Sequence, residues 1–573
     1  MPYRAPADEF RFLFDHVIGL GPLRATPRFA DITADVTDAI LTEAARLCDE
    51  VMAPLQRVGD KHPARLENGI VRTSPGFAQA YSAIADGGWV GMAASPDAGG
   101  MGLPMVLAYA VNEMMAGACL SLQLCPLMTQ GQIEALEHHA SAELKAVYLP
   151  RLISGDWCGT MNLTEPQAGS DVGALRCKAE PLADGSYAIT GQKIYITWGD
   201  SDLAANICHL VLARLPDAAP GTKGISLFMV PKFIPDAGGA PGQANRLGVV
   251  SLEHKLGLHG SPTAVMQYDG AQGWLVGAPH LGMQAMFTMM NNARLGVGGQ
   301  GIGVAEAATQ QAAAFAADRR QGTPPQGQTN HSQAILGHAD VRRMLATMRA
   351  EVFAARAIAL SCAFAIDMAR AGDEPDWQAR AALLTPIAKA FGTDTGIAVA
   401  DMGIQVHGGM GFIEETGAAQ YLRDVRVTAI YEGTNGIQAM DLVGRKLADG
   451  GDAVFRLLDE VQQGAEAARS QLPDLAGLIW ASAEALRDAT DALTLMDAND
   501  RNAGAVAYLR AFARVMGGHF HLKAAVAAGS GSSREALAAF YIRRMLPEHV
   551  GLLGVAVEGA GGLYAIPDAA LLS

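Results

Sequence analysis

A chain of 573 residues is too long for one hydrophobic core and should divide into several domains. Half of it is apolar and only 18% is charged, which excludes a disordered chain; abundant Gly and few aromatics favour closely packed helices over a large all-β body. The formal net charge of -15 argues against nucleic acid as a principal partner, because phosphate binding needs clustered positive charge, although helix N-termini and a few arginines can still hold a polyanionic cofactor.

The opening stretch, MPYRAPADEFRFLFDHV, has acidic residues and no basic run followed by an apolar core, so no secretory signal is read there. No run of about 18 apolar residues is evident, and a spanning helix is not expected. Cys48, Cys119, Cys125, Cys158, Cys177, Cys208 and Cys362 are odd in number, widely spaced and without a C-x-x-C. That is the pattern of buried thiols in a reducing compartment. The expectation is a soluble, cytoplasmic, multi-domain protein.

Residues 1–35 form a leading segment in which Phe10, Phe12, Leu13, Phe14 and Val17 can clamp onto another surface. Residues 36–154 read as a helical domain, with Leu47, Val51 and Leu55 recurring on one helix face. Its loop GGWVGMAASPDAGGMGLP is punctuated by Gly and Pro. At residues 155–280 the texture changes. SYAIT, KIYITWG, ICHLVLAR, ISLFMV and TAVMQYDG are short, β-branched and bounded by turn residues, which predicts a β-domain of seven or eight strands. DAGG and GAPGQAN within it read as surface loops. Residues 281–449 return to long helices, with Met286, Met290, Ala293, Val297, Val304 and Ala308 on one face and an interruption at PPQGQTNHS. Residues 450–573 form an additional helical domain, entered through ADGGDA. The fold class is α+β, in the order helical, β, helical, helical.

Gly296-Val-Gly298-Gly-Gln-Gly301 satisfies the dinucleotide fingerprint, but that fingerprint works only at a strand-to-helix turn, and MQAMFTMMNNARL before it is helical in pattern. Small residues at a helix crossing explain it better. No histidine shows metal-ligand spacing, so no metal is expected. His259 and His407 remain candidates to line a pocket, and Glu414 and Glu415 read as a solvated loop.

MNLTEPQAGSDVGAL (161–175), GQKIYITWG (191–199), ADRRQG (317–322), QVHGGMG (405–411) and IYEGTNGIQ (430–438) together resemble the signature blocks of acyl-CoA dehydrogenases, in the family's order. The resemblance implies that family's fold: an N-terminal helical domain, a central β-domain and a C-terminal helical bundle. The long N-terminus, EHKLGLHGSPT (253–263) and the extra C-terminal helices resemble a larger subgroup. It includes broad-range fatty acyl-CoA dehydrogenases and 3-methylmercaptopropionyl-CoA dehydrogenases.

By that resemblance the cofactor is FAD. Leu163 and Thr164 would meet the flavin pyrimidine edge, Ser170 the pyrophosphate, and Thr197 the region of flavin N5. Alternation puts Tyr195 beside Thr197 on one strand face, and Tyr195 stands where relatives carry the aromatic that covers the ring. Trp198, where many relatives have Asn, departs from the pattern and leaves the covering residue open. Arg319, Gln405, Gly408 and Gly409 would reach the diphosphate and adenine, in relatives across the interface of a homodimer. Thr434 lies in the same catalytic block and is assigned to the cofactor.

Glu432 aligns with the family's catalytic base. Removing an α-proton from a thioester needs one carboxylate whose pKa desolvation lifts toward about 6–7, and donors for the enolate oxygen. The backbone N–H of Glu432 would be one such donor. Gly433 removes a side chain beside the reacting carbon, and Arg294 matches an arginine near the CoA ribose and adenine. Some relatives put the base near residue 293, which here is Ala293. Electron-transferring flavoprotein is the implied electron acceptor. Three alternatives stay open: a 3-methylmercaptopropionyl-CoA dehydrogenase, a non-catalytic flavin-binding protein of the alkylation-response type, and membrane association through residues 450–573.

Overall fold

The computed structural model describes residues 3–324, 332–372 and 374–573, apart from the side chain of Asn291; most of the PPQGQTNHS interruption lies outside the described residues. Helix accounts for 62% of the chain and strand for 13%, with most strands gathered in one sheet, as an α+β fold requires. The chain divides into two compact units: residues 1–42, 105–117 and 294–573 form one, and residues 43–104 and 118–293 the other.

The second unit contains the sheet. A hairpin comes first, β1 (Arg65–Glu67) and β2 (Ile70–Arg72), within a stretch the sequence suggested was helical. Asn68 and Gly69 at its tip have φ of 53° and 78°, the two left-handed residues that a tight hairpin turn needs. Then follow β3 (Trp157–Asn162), β4 (Lys178–Pro181), β5 (Tyr187–Thr197), β6 (Asn206–Arg214), β7 (Ile225–Pro231), β8 (Phe233–Pro235), β9 (Pro241–Ala244), β10 (Leu247–Leu252) and β11 (Thr263–Val276). Seven of them make the sheet, in the order β10-β11-β5-β4-β6-β3, and β7 pairs with both β11 and β6. Strands β11, β5, β4, β6 and β7 therefore close on themselves around Ile189, Val211, Phe228, Val230, Met266 and Tyr268, all buried. In the short extra pair β8–β9, half-buried β8 precedes DAGG, DAGG forms the turn, and exposed β9 lies within the expected GAPGQAN loop.

Of the expected face Leu47, Val51, Leu55, Leu47 is buried, whereas Val51 and Leu55 are only half-buried. Residues Leu47–Met52 wind as a π-helix and Ala53–Leu55, with Pro54, as a 3-10 turn. The wider turns rotate the buried stripe onto Cys48, Met52 and Gln56.

In the first unit, Phe10, Leu13, Phe14 and Val17 of the leading segment are buried, and Arg534 stacks 3.5 Å above the ring of Phe12 while pairing with Glu9 at 2.8 Å. The long helices Gly282–Asp318 and Pro375–His407 cross at the glycine-rich stretch. A Cβ at Gly298 would lie 2.7 Å from the Ala388 carbonyl oxygen, and one at Gly301 2.4 Å from that of Gly392. The glycines of the false dinucleotide fingerprint are thus a backbone-to-backbone helix contact. Two helices, Met105–His139 and Ala339–Gly372, do reach the length and apolarity of a membrane span, contrary to the reading of the sequence. Their most apolar windows are 100% and 83% buried in the fold, so they serve as core helices.

Candidate active site

The Glu432 loop lies in the first unit. It links a 3-10 turn, Arg426–Ala429, to the helix Asn435–Asp441, whose first turn is capped by Thr434: its Oγ1 accepts from the Ile437 N–H at 3.3 Å. Thr434, assigned to the cofactor by resemblance, is therefore also a helix cap. Glu432 and Gly433 have φ of 55° and 82°. For a glutamate that conformation costs roughly 1–2 kcal/mol, so the surrounding contacts must hold it. At Gly433 a Cβ would sit 2.8 Å from Gln438 Nε2, which adds crowding to the backbone requirement for glycine.

Glu432 is half-buried, and burial pushes its carboxyl up to about 7, against the opposing pull of Arg294 and Lys389. Arg294 is itself buried, its guanidinium 3.9 Å from Asp441, and burial pushes its pKa down. It stands within electrostatic reach of Glu432. Tyr431 donates its hydroxyl to Gln300 Oε1 on the crossing helix. The sequence reading missed Lys389. Its Nζ donates to the Gly433 carbonyl and to Asn435 Oδ1, both at 2.9 Å, although the side chain is fully buried. A lysine inside the apolar helical run LLTPIAKAFG was the available signal, since an unpaired buried ammonium is not tolerated.

The loop within residues 161–175 lies in the second unit, where Lys193 organises it. Lys193 Nζ donates to the Leu163 carbonyl at 2.9 Å and to Glu165 Oε1 at 2.8 Å, with the two side chains 0% and 4% exposed. Glu165 also accepts the backbone N–H groups of Arg176 at 2.6 Å and Cys177 at 3.0 Å. Burial alone would raise its pKa, but Lys193 and those N–H groups hold it below the usual range. The Thr164 carbonyl accepts from Ile194 N–H at 3.0 Å, tying the loop to β5.

Strict alternation fails along β5. Lys193 pairs with Met266 and Ile196 with Ala264, so Ile194 and Tyr195 together face the single residue Val265 in a β-bulge. Tyr195 adopts φ 60° and is 60% exposed, while Thr197 is half-buried. Trp198 turns inward at φ 54°, only 1% exposed; its indole N–H donates to the Ser121 carbonyl at 3.2 Å and its ring stacks on Phe77. Tyr195 is thus the aromatic left on the surface, and Trp198 belongs to the core.

Ser170 is exposed on its loop. In the first unit Arg319, Gln405, Gly408 and Gly409 are all exposed, and a Cβ at either glycine would meet open space. Beside them Met410, Phe412 and Ile413 are 50%, 86% and 45% exposed. His407 stacks on Phe315 with Nδ1 2.7 Å from the Gly403 carbonyl oxygen, and His259 lies 2.9 Å from Asp60; both are engaged within their own units. Glu414 pairs with Arg423 at 2.9 Å on the surface. All seven cysteines are free and buried. Among the described residues no group of three His, Cys, Asp or Glu side chains is arranged to hold a metal ion.

Four family models match along the chain: acyl-CoA dehydrogenase N-terminal domain at 35–156, middle domain at 160–271, C-terminal domain at 280–447, and acetyl-CoA dehydrogenase C-terminal like at 457–567. The 3-methylmercaptopropionyl-CoA dehydrogenase of Ruegeria pomeroyi is 46% identical over 520 residues, covering 89% of this chain and 88% of that protein. The broad-specificity linear acyl-CoA dehydrogenase FadE5 of Mycobacterium tuberculosis is 35% identical, covering 80% and 78%. A solved acyl-CoA dehydrogenase from Bacillus anthracis, complexed with FAD, matches the fold with a TM-score of 0.72 at 19% identity, covering 93% of each chain. The chain belongs to the acyl-CoA dehydrogenase family, FAD-dependent oxidoreductases that act on CH–CH bonds.

Proposed function

We propose that this enzyme converts acyl-CoA thioesters to trans-2-enoyl-CoA, with Glu432 as the base and 3-methylmercaptopropionyl-CoA as the preferred substrate. The observation that carries the reaction is Glu432 itself. It is a carboxyl raised to about 7 by burial, held in a strained loop, with no described residue accepting its backbone N–H. A carboxylate of that pKa is ionised enough at neutral pH to accept the α-proton and basic enough to hold it. The free N–H is a donor for the thioester oxygen as negative charge develops there. Greater identity to the thioether-acting relative than to the broad-specificity one supports the substrate assignment.

The residues present fit FAD. The hydroxyls of Thr164, Ser170 and Thr197 have no partner among the described residues, and Tyr195 is an exposed ring on a bulged strand. Within the second unit Leu163, Thr164, Ser170, Tyr195 and Thr197 would hold the cofactor; within the first unit Arg319, Gln405, Gly408 and Gly409 would meet the diphosphate of the partner subunit's cofactor, and Thr434 is a further candidate cofactor contact. When bound, FAD supplies the acceptor for the β-hydrogen and its electron pair. The reading carries with it a cytoplasmic homodimer in which the exposed Arg319, Gln405 and glycines serve the partner subunit's cofactor, and electron-transferring flavoprotein as the final acceptor.

The substrate assignment is tested by comparing kcat/KM for 3-methylmercaptopropionyl-CoA with that for linear acyl-CoAs of about four to sixteen carbons. The thioether substrate should rank first. A linear chain preferred by tenfold or more would overturn the assignment and point to a fatty acyl-CoA enzyme.

A further inference from the structure

Glu432 and Gly433 are consecutive residues in the left-handed region, a backbone that a glutamate rarely adopts unaided. Each of their carbonyls is taken by a buried side chain. Gln438 Nε2 donates to the Glu432 carbonyl at 3.1 Å and to that of Gly433 at 3.4 Å. Lys389 Nζ reaches the Gly433 carbonyl from the helix Pro375–His407 and is steadied by Asn435 Oδ1. Asn435 in turn donates to Asp394 Oδ1 at 2.6 Å and to Thr393 Oγ1 at 3.0 Å, one helical turn beyond Lys389. Lys389 and Gln438 are both 0% exposed, so neither is a mobile surface contact. The N–H groups of Glu432 and Gly433, by contrast, meet no acceptor among the described residues.

We infer that Lys389 and Gln438 are positioning residues for the catalytic base: they tie back the carbonyls of the Glu432–Gly433 dipeptide and so fix where the carboxylate and the free N–H of Glu432 point. The inference rests on Glu432 being the base. Lys389 has a second effect through its charge. The ionised groups that act on Glu432 are Arg294 and Lys389, and those that act on Lys389 are Glu432, Asp394 and Arg294. A neutral residue at 389 removes one of the two cations that favour ionised Glu432, whereas a neutral residue at 438 leaves both in place.

The test uses the full-length, FAD-loaded protein with Lys389→Met, Lys389→Gln, Gln438→Met and Glu432→Gln. Anaerobic flavin reduction at saturating substrate should fall at least tenfold in Lys389→Met and Gln438→Met, with the Kd for the enoyl-CoA product within threefold of wild type. Lys389→Gln, which keeps a donor, should recover part of the rate. The acid limb of the pH profile should move to higher pH in both Lys389 variants and stay in place in Gln438→Met. A purely structural role would not divide the variants in that way. Wild-type rates and an unmoved limb in Lys389→Met would overturn the inference. Should that variant fail to retain FAD, a wild-type rate in Gln438→Met would overturn it. An active Glu432→Gln would instead overturn the base assignment, so the two failures are distinguishable.

Discussion

Burial lifts Glu432 to about 7, and this fixes the shape of the pH profile. Only the ionised carboxylate accepts the α-proton, so activity is present above that pKa and lost as pH falls through it. With a pKa near 7, about a tenth of the base is ionised at pH 6 and about a hundredth at pH 5. The free-enzyme parameter, kcat/KM for flavin reduction, should therefore drop about tenfold from its plateau to pH 6, and about tenfold again by pH 5. An unshifted glutamate, at 4.5, would give a flat profile across that range. The assay is anaerobic stopped-flow flavin bleaching at low substrate from pH 5 to 9, which needs no electron acceptor. Arg294→Met provides the internal check: it removes a cation that favours ionised Glu432, so its limb must lie at higher pH than that of wild type. A limb near 4.5 in wild type, or movement to lower pH in Arg294→Met, would refute the account of what sets the base's pKa.

At the helix crossing, Gly301→Val would place a Cβ 2.4 Å from a backbone oxygen that cannot rotate away. The helices must part by about 1 Å, so a stability loss of about 3 kcal/mol is expected in denaturant unfolding, together with slower flavin reduction, because Arg294, Gln300 and Lys389 lie on the two helices. On the bulged strand, Tyr195→Ala should weaken FAD binding while changing apoprotein stability by less than about 0.5 kcal/mol, whereas Trp198→Ala should cost about 3–5 kcal/mol. Calorimetry of both apoproteins separates the two roles. Lys193→Met leaves Glu165 buried without its cation, which should cost about 3–5 kcal/mol and release FAD on gel filtration. Unchanged FAD content would show that the Leu163 loop does not depend on that pair.

The parts of the fold visible in the sequence were those written in local pattern. Short β-branched runs marked the sheet strands, and the preceding helical residues exposed the glycine fingerprint at 296–301 as a helix contact. Glu432 was singled out by the resemblance of IYEGTNGIQ to a family block, since no local pattern in the sequence marks its left-handed backbone. What stayed hidden depends on tertiary context. Lys193 and Lys389 look like solvent-facing charges to any pattern that sorts residues by polarity, yet each is buried because it ties down a loop carbonyl. Alternation put Tyr195 on one strand face with Thr197, but the bulge that swings Tyr195 out cannot be seen in alternation, which assumes one residue per pleat. The same assumption of regular winding carried the buried stripe from Leu47 on to the half-buried Val51 and Leu55, where π turns bring Met52 and Gln56 inward instead. The Asn68-Gly69 hairpin was legible and was passed over amid helical neighbours.

The central claim is that Glu432 removes the α-proton of an acyl-CoA thioester. Its most direct test is anaerobic titration of the FAD-loaded protein with 3-methylmercaptopropionyl-CoA and butyryl-CoA, for wild type and Glu432→Gln, following flavin absorbance. The account predicts prompt bleaching in wild type and none in the variant, with the variant still binding the thioester, as shown by a spectral shift without reduction. Bleaching of the variant at the wild-type rate would contradict the role of Glu432, and a wild-type flavin that no thioester bleaches would contradict the reaction itself.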